Sequence, residues 1–401
     1  MVASALGSRS AALDGAVFTP KPDLRLLTSA AIYGPNASGK SNLVHGLAFM
    51  RWLVLNSVRG LDTDAPIPVQ PFLLADPPPT TTTLEVVFLL AGVEYRYGFA
   101  LDARRVVAEW LHARTSQREK TLFTRDRGAF KLGAEFKREG HGLPDKTRPN
   151  ALFLTVAAQF DGATSGRIVQ WFKAIRLMSG LDDESPRTHT IAGLRDPQRR
   201  QQTLALLQKF DLDIDGLELA KHPHADTQET VKTLHRLRTT ATTTDPTAPL
   251  IRFDLGDESQ GTQKVFALAG PLLDVLGGGG LMILDEFDAR LHPLLSRTIL
   301  RQFNTAASNP QHAQLVLTTH DTTILNKETL RRDQVWFTEK DRDAGTRLFS
   351  LAELKVRNDA SYDKDYVTGR YGAIPFVRNI DLPRADPRAP SASPRASKHP
   401  H

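Results

Sequence analysis

The chain has 401 residues, 40% hydrophobic and 24% charged, an ordinary globular composition with room for two or three domain-sized units. It contains no cysteine, which excludes disulfides and thiolate metal sites and suits a reducing cytoplasm, and no uncharged apolar run of about 18 residues, so no membrane-spanning helix is expected. The net charge is +6, but 51 basic residues are interspersed with 45 acidic ones, so the balance permits nucleic-acid contact without arguing for it.

The opening "MVASALGSRSAALDG" has no basic flank before an apolar core and does not read as a signal peptide. "LTSAAIYG", Leu27 to Gly34, is a short apolar strand ending at glycine. After "PNASGKSN" the chain carries Leu43, Leu47, Met50 and Val54 at helical spacing. "PIPVQPFLL" and "PPPTTT" break that pattern. "TLEVVFLLAGVEYRYGFAL" then reads as a hairpin joined at Ala91-Gly92, and "RVVAEWLHARTS" and "KTLFTRD" continue as strands. An antiparallel region from about Thr83 to Lys131 is the expectation.

"IVQWFKAIRLMSGL" and "DPQRRQQTLALLQKFDLDIDGLEL" have helical patterns, and "HRLRTTATTTDPTAPL" reads as an exposed polar loop. The final third alternates strands, glycine loops and helices. The organisation expected is an N-terminal lobe over 1–159, a mainly helical insertion over 160–250, and a C-terminal lobe over 251–379. The Pro-, Ser- and Arg-rich tail over 380–401 is expected to be disordered.

"GPNASGKS", Gly34 to Ser41, fits G-x-x-x-x-G-K-[ST] between a strand and a helix. Gly34 and Gly39 let backbone N–H groups wrap a phosphate, and Pro35, Asn36, Ala37, Ser38 and Asn42 complete the wrap. Lys40 reaches the β- and γ-phosphates and Ser41 can ligate Mg²⁺. In "GGGGLMILDEFDARLHP" the apolar run Leu281 to Leu284 has the character of a buried parallel strand and ends in Asp285-Glu286. Asp285 is placed to hold Mg²⁺ and Glu286 to act as general base on the attacking water. Asp288 is either a contact across a subunit boundary or a plain helix N-cap. "HAQLVLTTHDTTIL" gives a strand over Gln314 to Leu317, with His320 beyond its end, where a neutral imidazole can bond a γ-phosphate or the attacking water. His292 and His312 lack such placement and read as structural. "DESQGTQKVFALAG", Asp257 to Gly270, is a polar turn entering a helix. It reads equally as an anion-facing helix start and as an ordinary cap.

Taken together, a phosphate loop, a long insertion, "ESQGTQK", "LMILDEFD" and "TTHD" in that order resemble the ABC-type ATPase head shared with SMC and RecF proteins. "AAIYGPNASGKSNL", "EYRYGFALD", "EWL", "DEFDARLHP" and "DYVTGRYGAIP" resemble more narrowly the RloA/AbiL-like AAA ATPases of bacterial abortive-infection operons. The resemblance implies an α/β P-loop NTPase fold, an ABC-type head with an antiparallel β subdomain. It also implies a head-to-tail homodimer with two ATP molecules at the interface. In that arrangement Ser259 and Gly261 are signature contacts to the partner's ATP, with Thr262 where many ABC proteins have glutamine and Gln260 where many have glycine. Gln70, in "PVQPF", is either the glutamine that senses Mg²⁺ or a solvated residue before proline. Relatives usually begin with a strand resembling F-x-x-x-N-F-x-S-F. This chain starts at "MVASAL" instead, so a missing edge strand or a misplaced start is expected.

The expected function is an ATP-hydrolysing switch in phage defence, cytoplasmic, with a separate RloB-like Toprim nuclease as effector. The alternatives are a DNA-repair or chromosome-maintenance ATPase of SMC/RecF type, a nucleotide-gated scaffold with negligible turnover, and a transporter ATPase. The insertion is short and lacks sustained heptads, which argues against a long coiled-coil arm.

Overall fold

A computed structural model describes residues 1–3, 13–116, 118–210, 212–222, 225–237, 248–357 and 360–374. The first strands, β1 (Val17–Lys21) and β2 (Leu24–Leu27), form a hairpin that the sequence patterning did not reveal. Residues 1–3 pair with the other edge of β2: Leu27 N donates to Met1 O at 3.0 Å and Ala3 N to Arg25 O at 2.9 Å. Strand β3 (Ser29–Tyr33) leads through the phosphate loop into α1 (Lys40–Asn56). Leu43, expected on the buried face of α1, is exposed; Val44, Met50, Leu53 and Val54 are buried.

Strands β4 (Thr82–Leu90), β5 (Val93–Leu101), β6 (Val106–Arg114), β7 (Glu119–Asp126) and β8 (Ala129–Leu132) form the expected antiparallel meander. Short helices α2 (Lys137–Gly140) and α3 (Phe153–Gln159) follow, then α4 (Ala163–Ala174). Phe88 of β4 stacks on Trp171 of α4 at 4.0 Å, tying the meander to that helix.

The helical reading overran twice in the insertion. Ile175 leaves α4 with extended dihedrals, and β9 (Arg176–Ser179) pairs in parallel with the strand that carries Asp285. The region 160–250 therefore contributes a strand to the main sheet. Helix α5 (Glu184–Gly193) lies between the two stretches read as helical, and α6 (Pro197–Lys209) is as expected, but "GLELAKH" is strand β10 (Gly216–His222), paired with β11 (Ala225–Arg236) and β12 (Leu250–Asp254). Cross-strand pairing overrides a local periodicity that looked helical. Most of the threonine-rich stretch, and the tail over 380–401, lie outside the described residues.

Helix α7 (Gln260–Gly278) is buried along most of its length although Pro271 interrupts it. Proline leaves the carbonyl four residues earlier without a donor. Thr190 of α5 supplies one: its Oγ1 donates to Ala267 O at 2.9 Å. Then come β13 (Leu281–Asp285), α8 (Pro293–Asn304), β14 (Gln314–Thr318), β15 (Val335–Lys340), β16 (Thr346–Ser350) and α9 (Tyr362–Val367).

The main sheet has the order β16-β15-β3-β14-β13-β9, with β16 antiparallel and its other strands parallel. Alternate residues of β13 serve opposite cores: Met282 and Leu284 pack with α7 and α8, while Ile283 packs with α1 and the meander. That is the two-faced burial of a parallel sheet and gives an α/β P-loop NTPase fold. Among the described residues no helix is long and apolar enough to cross a membrane.

Candidate nucleotide site

Strands β3, β14 and β13 lie side by side and end at the same edge of the sheet. The phosphate loop, His320 and Asp285-Glu286 follow directly from those ends. Ligands of open α/β sheets bind at such an edge.

The phosphate loop is fixed from behind by the β15–β16 hairpin. Ser38 is buried and its Oγ lies 2.6 Å from Thr338 Oγ1, while Thr346 Oγ1 donates to Ser38 O at 3.0 Å. The Ser38 side chain is thus an anchor of the loop. Gly39 has φ 101°, and a Cβ there would come within 2.0 Å of Thr346 Oγ1, so no other residue fits. The Tyr366 hydroxyl takes a backbone hydrogen bond from Gly34 and donates to Ala373 O at 3.0 Å; burial raises its pKa to about 12. This gives the "DYVTGRYGA" segment a physical task, buttressing the loop. Pro35, Asn36, Ala37, Ser41 and Asn42 line the loop and the first turn of α1, and Ala37 takes a left-handed φ of 62°.

Lys40 is buried in the loop, its Nζ donating to Gly34 O at 2.7 Å and Pro35 O at 3.2 Å. Burial lowers its pKa, and the carboxylates of Asp285, Asp288 and Glu286 oppose that shift, which puts all three within electrostatic reach.

Thr318, the last residue of β14, organises the acidic strand end. Its Oγ1 donates to Asp285 Oδ1 at 2.5 Å and accepts from Glu286 N at 2.8 Å, while Phe287 N donates to Thr318 O at 2.9 Å. Glu286 is held at φ 52°, a left-handed backbone unusual for glutamate and a form of strain that clusters at functional sites. Asp288 is bound within its own chain: its Oδ1 accepts from Thr319 Oγ1 at 2.6 Å and from His320 N at 3.1 Å. It is not the cap of α8; that is His292, whose side chain accepts from Leu294 N. His312 stacks on Phe18 at 4.6 Å. The His320 pKa is lowered, first by burial and then by Lys40, against the pull of Asp288 and Glu286.

Ser259 caps α7. Its Oγ accepts from Thr262 N at 3.1 Å and lies 2.8 Å from Thr262 Oγ1, and Thr262 is only 7% exposed. Gly261 is half-buried, and a Cβ there would make ordinary contacts at 3.8 Å with Leu295 and Ser259. Among the described residues, the hydrogen bonds that join Ser259 and Thr262 and the close neighbours of Gly261 do not include the phosphate loop of the same chain. Gln70 is exposed in the irregular stretch between α1 and β4. Sequence reasoning missed Thr318, Thr338, Thr346 and Tyr366. The doubled threonine before His320 was the visible signal for the first.

No curated protein matches the chain in sequence. Among solved structures it is similar to an SMC head bound to the C-winged helix domain of ScpA, at 14% identity over 82% of this chain and 92% of that one, with a TM-score of 0.45. It is also similar to the SMC head domain from Thermotoga maritima (14% identity, 83% and 93% covered, TM-score 0.40). A third similar structure is CbiO1 from Clostridium perfringens, part of the ABC transporter complex CbiONQ (12% identity, 89% and 90% covered, TM-score 0.32). The family described as "AAA domain, putative AbiEii toxin, Type IV TA system" matches residues 29–326, which take in the phosphate loop, the start of α7, Asp285-Glu286 and His320, and the chain belongs to that family of AAA-type ATPase domains.

Proposed function

We propose that this chain binds and hydrolyses ATP with Mg²⁺ as a homodimeric, RloA/AbiL-like switch in cytoplasmic anti-phage defence, acting through a separate RloB-like Toprim nuclease. The observation that carries the catalytic part is the convergence of Lys40, Asp285, Glu286 and His320 at one sheet edge. The donor set fits magnesium: Ser41 and Asp285 are hard oxygen ligands beside a glycine-walled loop. When bound, the ion neutralises charge on the phosphates. The chain's own groups do the rest. Loop N–H groups and Lys40 hold the β- and γ-phosphates. Glu286 takes the proton of the water that attacks the γ-phosphorus as the bond to the bridging oxygen breaks, releasing ADP and phosphate. Neutral His320 orients that water or a γ-oxygen.

The test is steady-state turnover with light scattering. Lys40→Ala is expected to lose turnover and ATP binding together. Glu286→Gln is expected to keep ATP binding, lose about a hundredfold or more in turnover, and accumulate as an ATP-bound dimer. Parent-like turnover in Glu286→Gln removes the general-base assignment. The effector partnership is supported only by the sequence resemblance, and co-purification with a Toprim nuclease tests it separately.

A further inference from the structure

Lys264 is 1% exposed, in the second turn of α7, five residues after Ser259. The helix does not need it for burial, because Val265, Phe266, Leu268 and Leu272 already fill the core. A buried ammonium must be paired, and its partners are specific. Lys264 Nζ donates to Gly180 O and to Asp183 Oδ1, both at 2.5 Å. Gly180 N donates to Asp285 O at 2.6 Å, so one residue joins the lysine to the acidic strand end. A Cβ on Gly180 would lie 1.9 Å from Glu286 O, so this position accepts glycine alone. Asp183 Oδ2 in turn accepts from Arg290 at 2.7 Å. Glu286 and Arg290, at the two ends of the turn that follows β13, both have left-handed backbones, with φ 52° and 61°. A strained turn is thus gripped from the side of α7 by a buried lysine.

We infer that Lys264 is a positioning residue that couples the Ser259 turn to Glu286 of the same subunit, making turnover at the two ATP sites of the dimer cooperative. This rests on the dimeric ATPase reading above. When Ser259 meets the partner's nucleotide, α7 carries the displacement through Lys264 and Gly180 to the strand end that acts on the chain's own ATP. Each site then registers occupancy of the other.

The experiment measures kcat, KM and the Hill coefficient on the full chain, with dimer mass read in a Glu286→Gln background. A parent chain without ATPase activity, or without an ATP-dependent dimer, defeats the functional reading itself. A cooperative parent isolates the role of Lys264. Lys264→Met is then expected to keep KM within about twofold and to form the dimer. Its kcat is expected to fall about tenfold to a hundredfold, with a Hill coefficient of about one. Lys264→Arg is expected to restore cooperativity, because a guanidinium can also donate to the carbonyl and the carboxylate. Lys264→Met with parent cooperativity overturns the inference, as does loss of the dimer together with kcat, which marks a merely structural lysine. If Lys264→Met does not fold, Asp183→Asn is read instead: an intact dimer without cooperativity supports the coupling, and retained cooperativity overturns it.

Discussion

His320 is the residue whose chemistry depends most on its neighbours. Burial and the nearby Lys40 charge hold its pKa below the ordinary 6.5. The sign follows: a lowered value keeps the ring neutral at a pH where an ordinary histidine is already half-protonated. Turnover is therefore expected to stay level from neutral pH down past 6.5 and to fall only below the lowered value. His320→Ala should lose that acid limb along with about tenfold or more of the rate. Histidine NMR gives an independent check. Removing the charge in Lys40→Ala should move the His320 titration up, and an unmoved titration would show that Lys40 does not act on the ring. The residues that make this site were legible because each belongs to a local motif. Gly34 to Ser41 and Asp285-Glu286 declare their chemistry within a few positions. Thr318 was not legible, because its work comes from the register that sets β14 beside β13.

At the scale of elements, the meander grips the phosphate-loop helix through one buried carboxylate. Glu109 of β6 is fully buried and accepts from Tyr97 Oη at 3.0 Å, Phe153 N at 2.6 Å and Leu154 N at 2.9 Å. Helix α3 has Leu152 at its N-cap and no side-chain cap of its own, so Glu109 caps it from another element. Helix α3 is bonded to α1 in turn, Thr155 Oγ1 donating to Val54 O at 2.8 Å. "YRYGF" and "EWL" had pointed only to a family; their physical content is this Tyr97–Glu109–α3 clamp. Glu109→Ala leaves buried donors unsatisfied and is expected to cost about 3 kcal/mol in urea denaturation. Burial raises the Glu109 pKa above 4.5, against its hydrogen bonds and Arg125. A raised carboxyl contributes most below 4.5 and loses that contribution as pH rises through the folded value, so the gap between parent and mutant should narrow in that direction. A gap that widens with pH would put the shift on the wrong side. Strands β9 and β10 escaped the sequence reading for a related reason. Nothing local in "IRLMS" or "GLELAKH" names the partner strand that turns them away from helix.

For the whole molecule, the order of motifs along the chain was readable, but the placing of β14 between β3 and β13 was not. That placing brings His320 between the phosphate loop and the acidic pair. In the single chain the Ser259 hydroxyl is taken up by Thr262, and Gly261 beside it is half-buried. A cap needs only the serine, whereas the head-to-tail arrangement proposed above gives both Ser259 and Gly261 a place at the partner's nucleotide. Two substitutions separate the readings. Ser259→Ala removes the hydroxyl without adding bulk and is expected to cost about 1 kcal/mol of stability, with the ATP-dependent dimer retained. Ser259→Arg loses the same cap and adds a bulky cation at the start of α7. It should bind ATP within about twofold of the parent, remain monomeric by mass in the Glu286→Gln background, and hydrolyse no ATP. Normal hydrolysis by Ser259→Arg would reduce the turn to a cap. Loss of ATP binding would mean that the turn serves the nucleotide of its own chain, and the head-to-tail arrangement would go with it.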